Sequence, residues 1–335
     1  MTERNVTIVV DVLGGDFAPA VVLEGIDAAL AGDSALTLLI TGPSEVVVPF
    51  AAARENVRAV ATTEFIDMGE HPANAVRAKK DSSIVVGCRL VKEGEAEGFF
   101  SAGSTGACMA AATLVMGRIP GVSRPAIATI IPAAERPCIL LDVGANADCK
   151  PENLLQFGLM GRAYAQVILG VENPSVGLLN IGEEPTKGSI LAQEAHALMA
   201  AEVPGFAGNV EGRAISSGTV DVIVTDGFTG NVALKLLEGT AKSLLGQIKT
   251  AMTSNTLRSI AASVLRKPLM ELKERLNPDV YGGAPLLGVR GVCIIGHGSS
   301  NSRAIAAGIA VAARAARGGL TGTIAEAIAG PTEAV

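Results

Sequence analysis

Five short turns, rich in glycine and in hydroxyl or amide side chains, are the segments of this sequence best able to do chemistry. Each follows a predicted strand, and they occupy residues 11–16, 101–106, 142–146, 226–231 and 297–301. Glycine lets the backbone approach a ligand closely, and free N–H groups at a helix start attract an anion. Because the carboxyl ends of parallel strands line the ligand crevice of an open α/β sheet, we expect all five turns on one sheet edge, around an anion pocket. For any single turn, ordinary helix capping is the alternative.

Lys187 stands alone in the segment after the predicted strand 176–181. A lone lysine is by default a solvated charge, but beside an anion site it can steady a phosphate or an oxygen that becomes negative. Nucleotide motifs are incomplete: residues 182–188 place lysine before glycine, the reverse of a Walker loop, and Asn301 replaces the third glycine of a dinucleotide fingerprint. The sequence therefore gives only weak signals of nucleotide binding.

The remaining reactive side chains do not predict a metal, a cofactor or a covalent nucleophile. His196 falls in a predicted helix and is interpreted as structural, whereas His297 faces either a ligand or its own turn. Asp142, Asp148 and Glu152 are possible metal ligands, but capping and first-turn roles explain Asp148 and Glu152 equally well. No cysteine is marked as an activated thiolate, and no Gly-x-Ser-x-Gly motif occurs.

Composition excludes several classes of protein. The chain has 335 residues, of which 49% are hydrophobic, so it can bury a large core and is not intrinsically disordered. A net charge of −6 and an aromatic content of 3% argue against nucleic-acid binding. Five scattered cysteines predict no disulfide framework. The uncharged run 98–117 contains too short an apolar helix to span a bilayer, which needs ~20 residues, and we expect a cytoplasmic protein.

Short apolar runs alternate with alanine-rich helical patterns, which is typical of an α/β fold with a mostly parallel sheet. The predicted strands are 6–12, 35–41, 57–61, 98–101, 127–131, 139–143, 176–181, 222–225 and 292–295. The predicted helices are 18–31, 82–93, 105–117, 151–169, 189–201 and 230–253. No linker divides the chain, so we expect one domain over residues 1–320 and a tail over 321–335 that frays.

Residues 230–276 predict a long helical hairpin. In its second limb Leu257, Ile260 and Val264 share one helix face, and cations flank that face. One interpretation is a hairpin packed on the body of the protein or on a second subunit. The other is an amphipathic tip that contacts an anionic membrane surface.

Ten ordered blocks between residues 9 and 313 resemble the PlsX-type phosphate acyltransferases. They are DVLGGDFAP at 11–19, RAKKDSS at 77–83, SAGSTG at 101–106, LDVGAN at 141–146, CKPE at 149–152, LLNIGEE at 178–184, GNVEGR at 208–213, DGFTGN at 226–231, YGGAPLL at 281–287 and HGSSN at 297–301. The sequence departs from the family pattern at Val12, Leu13, Phe17 and Ser104.

The resemblance implies a three-layer α/β sandwich like that of isopropylmalate dehydrogenase and phosphotransacetylase, assembled as a homodimer. It implies the transfer of a fatty acyl group from acyl carrier protein to inorganic phosphate, early in phospholipid synthesis. It points to Lys187 and Asn231 as catalytic residues. It also implies peripheral membrane contact through the hairpin, at Leu257, Ile260 and Val264.

For this reaction the sequence predicts that bound phosphate attacks the thioester directly. Asn231 is assigned as the oxyanion donor, with Lys187 orienting phosphate or sharing the charge. The candidate phosphate- and substrate-binding residues are Gly14, Gly15, Asp16, Ser104, Thr105, Gly106, Asn146, His297, Gly298, Ser299, Ser300 and Asn301. Lys79, Lys80 and the hairpin cations are candidates for docking the acidic carrier protein. The alternatives are a phosphotransacetylase-like enzyme that uses acyl-coenzyme A, and a non-catalytic scaffold recruited to membranes.

Overall fold

The structure, a computed structural model, describes residues 4–255, 262, 265, 267, 268, 270 and 281–330. In this part of the chain eleven strands form one sheet, in the spatial order β3-β2-β1-β4-β11-β10-β5-β6-β9-β7-β8. The strands are β1 Val6–Asp11, β2 Leu36–Gly42, β3 Val57–Ala61, β4 Gly98–Ser101, β5 Ala126–Ile131, β6 Cys138–Leu141, β7 Val176–Leu179, β8 Phe206–Val210, β9 Val222–Val224, β10 Ala284–Leu287 and β11 Val292–Ile295.

The sheet consists of two halves whose strands run in opposite directions. Strands β1 to β4 and β11 are parallel to one another, and β6, β7, β8 and β9 are parallel to one another. Between the halves, β10 is antiparallel to both β11 and β5, and β5 is antiparallel to β6. The expectation that all five turns share one edge is therefore wrong.

The register of the central strands explains how the turns can still meet. Ala284 pairs with Ile295 at the carboxyl end of β11, whereas Leu286 pairs with Ile127 near the start of β5. Strand β6 ends beside β5, where Ala128 pairs with Leu141. The second half is therefore displaced along the strand direction, and its carboxyl ends point towards the carboxyl ends of the first half.

Helices cover both faces of the sheet. They are α1 Ala20–Gly32, α2 Ser44–Ala52, α3 Pro72–Ala78, α4 Ser83–Lys92, α5 Thr105–Ala111, α6 Pro151–Tyr164, α7 Ile190–Glu202, α8 Arg213–Ser217, α9 Gly227–Met252, α10 Ser302–Arg317 and α11 Leu320–Ala329. Single π-helical turns, Ala112–Met116 and Ala165–Leu169, extend α5 and α6.

Alternate side chains of the strands enter two separate cores. In β1, Ile8 and Val10 belong to the core beneath α1 and α10, whereas Val9 belongs to the core beneath α4 and α5. Strands buried on both faces are the reason for the near-continuous apolar runs in the sequence. The prediction of a three-layer α/β sandwich is confirmed.

All nine predicted strands are present with ends within two residues of the prediction, but β8 and β10 were not predicted. Strand β10 contains Pro285, a residue normally excluded from central strands because it cannot donate to the ladder. Strand β8 lies at the sheet edge and contains Gly208 at a φ of +92°.

The carboxyl-terminal part of the chain differs from the prediction. Helix α11 packs against α6, and its Leu320 and Ile324 are buried. The prediction of a fraying tail is therefore wrong for residues 321–329.

The first limb of the predicted hairpin is α9, which begins at Gly227 rather than at residue 230. Leu257, Ile260 and Val264, the membrane-contact candidates, lie outside the described residues. Among the helices that the structure describes, none combines the length and the apolar character needed to cross a bilayer.

Candidate active site

A cleft of about 540 Å³ opens where the carboxyl ends of the two half-sheets face each other. From the first half, the turns after β1, β4 and β11 contribute Asp16, Thr105, His297, Gly298 and Ser300. From the second half, α9 contributes Asn231 and the turn after β6 contributes Val143. We refer to this cavity as the cleft.

We call the side of the cleft formed by the first half-sheet the first bank, and the side formed by the second half-sheet the opposite bank. A buried aspartate, Asp11, organises the first bank. Its Oδ2 accepts a hydrogen bond of 2.7 Å from Ser101 Oγ, and its Oδ1 accepts one of 3.0 Å from the backbone of Leu13. Ser101 Oγ in turn accepts a bond from the Gly103 N–H. Burial raises the pKa of Asp11, and the Ser101 hydroxyl bond opposes that rise. One carboxyl group thus holds the turns after β1 and β4 together.

The turn after β11 presents a histidine of defined tautomer. The backbone N–H of Ser299 donates to His297 Nδ1 at 3.2 Å, and Ser299 Oγ lies 2.8 Å from the same nitrogen. Because a backbone N–H can only donate, we assign the proton of the neutral ring to Nε2. The Gly298 carbonyl accepts a bond of 2.7 Å from the Asp16 N–H, which links this turn to the turn after β1.

A second buried aspartate, Asp142, organises the opposite bank. Its two carboxylate oxygens accept five hydrogen bonds, from the backbone N–H groups of Ile127, Gly144, Ala145 and Asn146 and from Asn146 Nδ2. Burial raises the pKa of Asp142, and these bonds oppose the rise. The turn 142–146 is therefore fixed along its whole length.

Two glycines let α9 begin against this turn. A Cβ on Gly230 would overlap the carbonyl oxygen of Asp142, and one on Gly227 would lie 2.7 Å from Asp142 Oδ2. Asp226 caps the helix by accepting a bond of 2.8 Å from the Thr229 N–H. This close packing places Asn231, one turn later, at the wall of the cleft.

The comparisons with known proteins agree on one family. A family model described as "Fatty acid synthesis protein" matches residues 6–322. A protein of Desulfitobacterium hafniense named phosphate acyltransferase is 50% identical over 308 residues, which cover 91% of this chain and 92% of that protein. The chain belongs to the PlsX-type phosphate acyltransferase family. It is therefore an enzyme of the acyltransferase class.

A second member of the phosphate acyltransferase family, from Acidobacterium capsulatum, is 47% identical over 331 residues, covering 97% of this chain and 98% of that protein. Among solved structures, a phosphotransacetylase from Streptococcus pyogenes is similar at a TM-score of 0.61 and 17% identity, covering 93% of this chain and 94% of that one. A branched-chain phosphotransacylase from Enterococcus faecalis gives a TM-score of 0.56 at 14% identity, covering 93% and 99%. At these identities the structures show a shared fold.

Seven predicted binding residues of this phosphate acyltransferase family member do not line the cleft but support its turns. They are Gly14, Gly15, Ser104, Gly106, Asn146, Ser299 and Asn301. Ser104 and Asn301 cap α5 and α10 by accepting bonds from Ala107 and Ala304. A Cβ on Gly106 would collide with Pro72 of α3. Their contacts position the backbone that faces the cleft.

Lys187 is not among the residues that line the cleft. It is exposed in the loop between β7 and α7, where Asn180 Nδ2 donates to its carbonyl oxygen at 3.0 Å. A second cavity of about 460 Å³ adjoins this loop and is lined by Asn180, Gly188, Asp226 and Thr229 among others. The two cavities therefore flank the first turn of α9, and Lys187 is not among the residues that line either of them.

Four polar residues that the sequence did not single out also line the cleft: Thr129, Lys235, Glu238 and Tyr281. Lys235 and Glu238 follow Asn231 by four and seven residues, which puts all three on one helix face. That spacing was the signal that could have identified them. Lys235 Nζ lies 2.8 Å from Glu238 Oε2.

The cysteines are not activated. Cys88, Cys108 and Cys293 are buried, and burial raises the pKa of each thiol, that of Cys108 to about 12. Cys149 is partly buried, with its pKa raised to about 11. These thiols are protonated at neutral pH and are poor nucleophiles.

Proposed function

We propose that the protein transfers a fatty acyl group from acyl carrier protein to inorganic phosphate and so supplies acyl-phosphate for phospholipid synthesis. Membership of the phosphate acyltransferase family supports acyl transfer to phosphate. The observation that supports the proposal is the cleft, which is lined by an amide side chain from one half-sheet and by a turn predicted to bind an anion from the other. This arrangement suits two reactants that must meet without a covalent intermediate.

In the proposed reaction, a phosphate oxygen attacks the thioester carbonyl carbon. The C–O bond forms, the C–S bond breaks, and the proton carried by hydrogen phosphate ends on the carrier thiol. Phosphate is already an anion at neutral pH, so no strong general base is required. Holding the two reactants together can supply ~7–11 kcal/mol of the barrier.

Asn231 is proposed to stabilise the oxyanion of the tetrahedral intermediate through its Nδ2–H group. A single preorganised donor of this kind contributes ~3–4 kcal/mol. His297 Nε2–H, Ser300 and the backbone of the turns 11–16, 101–106 and 297–301 are proposed to hold phosphate. Ser300 is buried at the cleft and its N–H donates to the His297 carbonyl, which fixes its backbone there.

Lys187 is proposed to act on the substrate from the loop beside the second cavity, next to the first turn of α9. Its ammonium is exposed and makes no ion pair with any residue in the described part of the chain, so it is available to an anionic substrate. Replacing it by alanine should lower turnover strongly if it contacts the reacting groups. Unchanged turnover would remove it from the site.

Carrier-protein docking is proposed to involve Lys80. Lys79, the neighbouring candidate, donates to Glu70 at 2.6 Å and to the Phe65 carbonyl at 2.7 Å, so its charge is already used. Lys80 is exposed. Reversing its charge should raise KM for the acyl-carrier donor and leave KM for phosphate unchanged.

The family resemblance also leads us to propose a homodimer and peripheral contact with an anionic membrane by the hairpin, in the cytoplasm. One face of α9 is apolar and exposed, which supports its being covered by a second subunit or by a membrane. Phe228, Val232, Leu236, Leu244 and Ile248, spaced by four or eight residues, are exposed. The measured mass in solution and the binding to anionic vesicles test these two proposals separately.

A single incubation tests the proposed function. Purified protein is mixed with acyl-carrier protein, with or without phosphate, and the products are identified by mass. Acyl-phosphate formed only with phosphate supports direct transfer. An acylated protein formed without phosphate contradicts it, and a strong preference for acyl-coenzyme A would favour a phosphotransacetylase-like activity instead.

A further inference from the structure

The wall of the cleft formed by α9 carries an ion pair directly beside Asn231. Lys235 lies one helical turn after Asn231, about 6 Å further along the axis, and both side chains line the cleft. Lys235 Nζ is 2.8 Å from Glu238 Oε2, and the two side chains are 56% and 42% exposed. The pair is therefore accessible from the cleft and from solvent.

The charges that line the cleft are unfavourable for an anion unless this pair opens. Among the described lining residues, Lys235 is the one lysine or arginine, while Asp16 and Glu238 carry carboxylates. A phosphate dianion that enters the cleft meets two negative side chains and one cation already occupied by Glu238. An exposed ion pair contributes little to stability, so Lys235 can exchange Glu238 for phosphate at small cost.

We propose that Lys235 binds the attacking phosphate and that Glu238 is the counter-ion it leaves when phosphate enters. This inference rests on the proposed function and gives the cleft the cation that Lys187, beside the second cavity, does not supply there. A phosphate held by Lys235 lies within one helical turn of the amide that stabilises the oxyanion. Glu238 keeps the lysine oriented in the free enzyme and competes with phosphate for it.

Direct titration of inorganic phosphate into the purified protein, followed by calorimetry, is the first test because it needs no acyl donor. We expect Lys235→Ala to weaken phosphate binding about 10- to 100-fold, the range for a hydrogen bond to a charged group. Lys235→Arg should restore most of the affinity. Lys242→Ala, which removes an exposed lysine of the same helix outside the cleft lining, is the matched control and should bind as the wild type does.

Glu238→Gln distinguishes a counter-ion from a structural partner. Removing the competing carboxylate should tighten phosphate binding by about two- to fivefold at low ionic strength, because the ammonium no longer has to leave a charge. This gain in phosphate affinity should vanish when Lys235→Ala is also present. If Glu238→Gln weakens binding as much as Lys235→Ala does, the pair is structural and the proposal is wrong.

Steady-state kinetics then separate this inference from the proposed function. With the wild type active on acyl-carrier protein, Lys235→Ala should raise KM for phosphate while KM for the acyl donor stays unchanged. Wild-type enzyme that forms no acyl-phosphate contradicts the proposed function, whatever the titrations show. Normal phosphate affinity and normal KM in Lys235→Ala contradict the role of Lys235 alone.

Discussion

The two banks of the cleft are built on buried aspartates that do different work. Asp142 accepts five hydrogen bonds, four of them from backbone N–H groups, and so fixes the turn against which α9 begins. Asp11 accepts bonds from the Ser101 hydroxyl and the Leu13 N–H, and the Ser83 hydroxyl also hydrogen-bonds to it. Asp142, on the pinned bank, is held mainly by backbone donors, whereas Asp11 is held mainly by hydroxyl donors, which can rotate.

This difference indicates a division of labour. An oxyanion donor must be aimed at one point, since misplacement of the donor removes its contribution to the transition state. Asn231, the proposed oxyanion donor, lies on the pinned bank. Phosphate has several equivalent oxygens and tolerates a more adaptable set of donors, such as those of the bank that carries His297 and Ser300.

The largest effect is expected on the pinned bank, from Asn231→Ala. Loss of one oxyanion donor should reduce kcat by about 10²- to 10³-fold with little change in either KM. Gln247→Ala, which removes an exposed amide further along α9, is the control. Initial rates of acyl-phosphate formation measure both, and a comparable loss in the two variants would show that the position of Asn231 is not special.

The second-largest effect is expected on the free energy of unfolding, for which substitutions of the two aspartates are compared. Asp142→Asn places an NH₂ group against donors, and each unsatisfied buried donor costs ~1–3 kcal/mol, so we expect a loss of about 3 kcal/mol in the free energy of unfolding. Asp11→Asn should cost about 1 kcal/mol or less, because Ser101 Oγ can accept from the new amide. Urea unfolding of both variants gives the two values, and equal losses would remove the contrast between the banks.

A smaller effect is expected from the adaptable bank. His297→Ala removes one donor to phosphate and should raise KM for phosphate by about tenfold, with kcat nearly unchanged. His71→Ala, at an exposed position outside the cleft lining, is the matched control. A fall in kcat as large as that of Asn231→Ala would mean that His297 acts on the oxyanion instead.

The smallest effect is a pH dependence of stability. Burial raises the folded-state pKa of Asp11 above 3.8, so its contribution is fully present below that pH and is lost as the pH rises through the folded-state pKa. Asp11→Asn cannot titrate. The free energy of unfolding of Asp11→Asn relative to the wild type should therefore increase from pH 4 to pH 7, by about 1.4 kcal/mol for each unit of pKa shift. A constant difference would show that the Asp11 pKa is not raised.

The turns and most strands were predictable because their signals are local. Apolar runs bounded by glycine identify β1 and β4, whereas the start of α9 was predicted three residues late, at residue 230. The convergence of the banks was not predictable in this way. It depends on β10, a central strand that was not expected because it contains Pro285. It also depends on the reversal of strand direction at β10 and β5.

The absence of Lys187 from the cleft lining was hidden for a related reason. Lys187 and Asn231 both follow strands of the second half, but the loop after β7 adjoins the second cavity instead of the cleft. Lys235 was missed although its spacing from Asn231 is visible in the sequence. A helix-face count that starts from a candidate residue would have found it.

Strand β10 has one further consequence. It is the sole strand between β11 and β5, so the neighbours on either side of it are about 10 Å apart, two hydrogen-bonded strand spacings. That gap is set by main-chain geometry, and substitutions of side chains cannot widen or narrow it. The backbone spacing beneath Ile295 and Ile127, which both line the cleft, is thus inherited with the ladder itself, while the surrounding side chains remain free to change what is admitted.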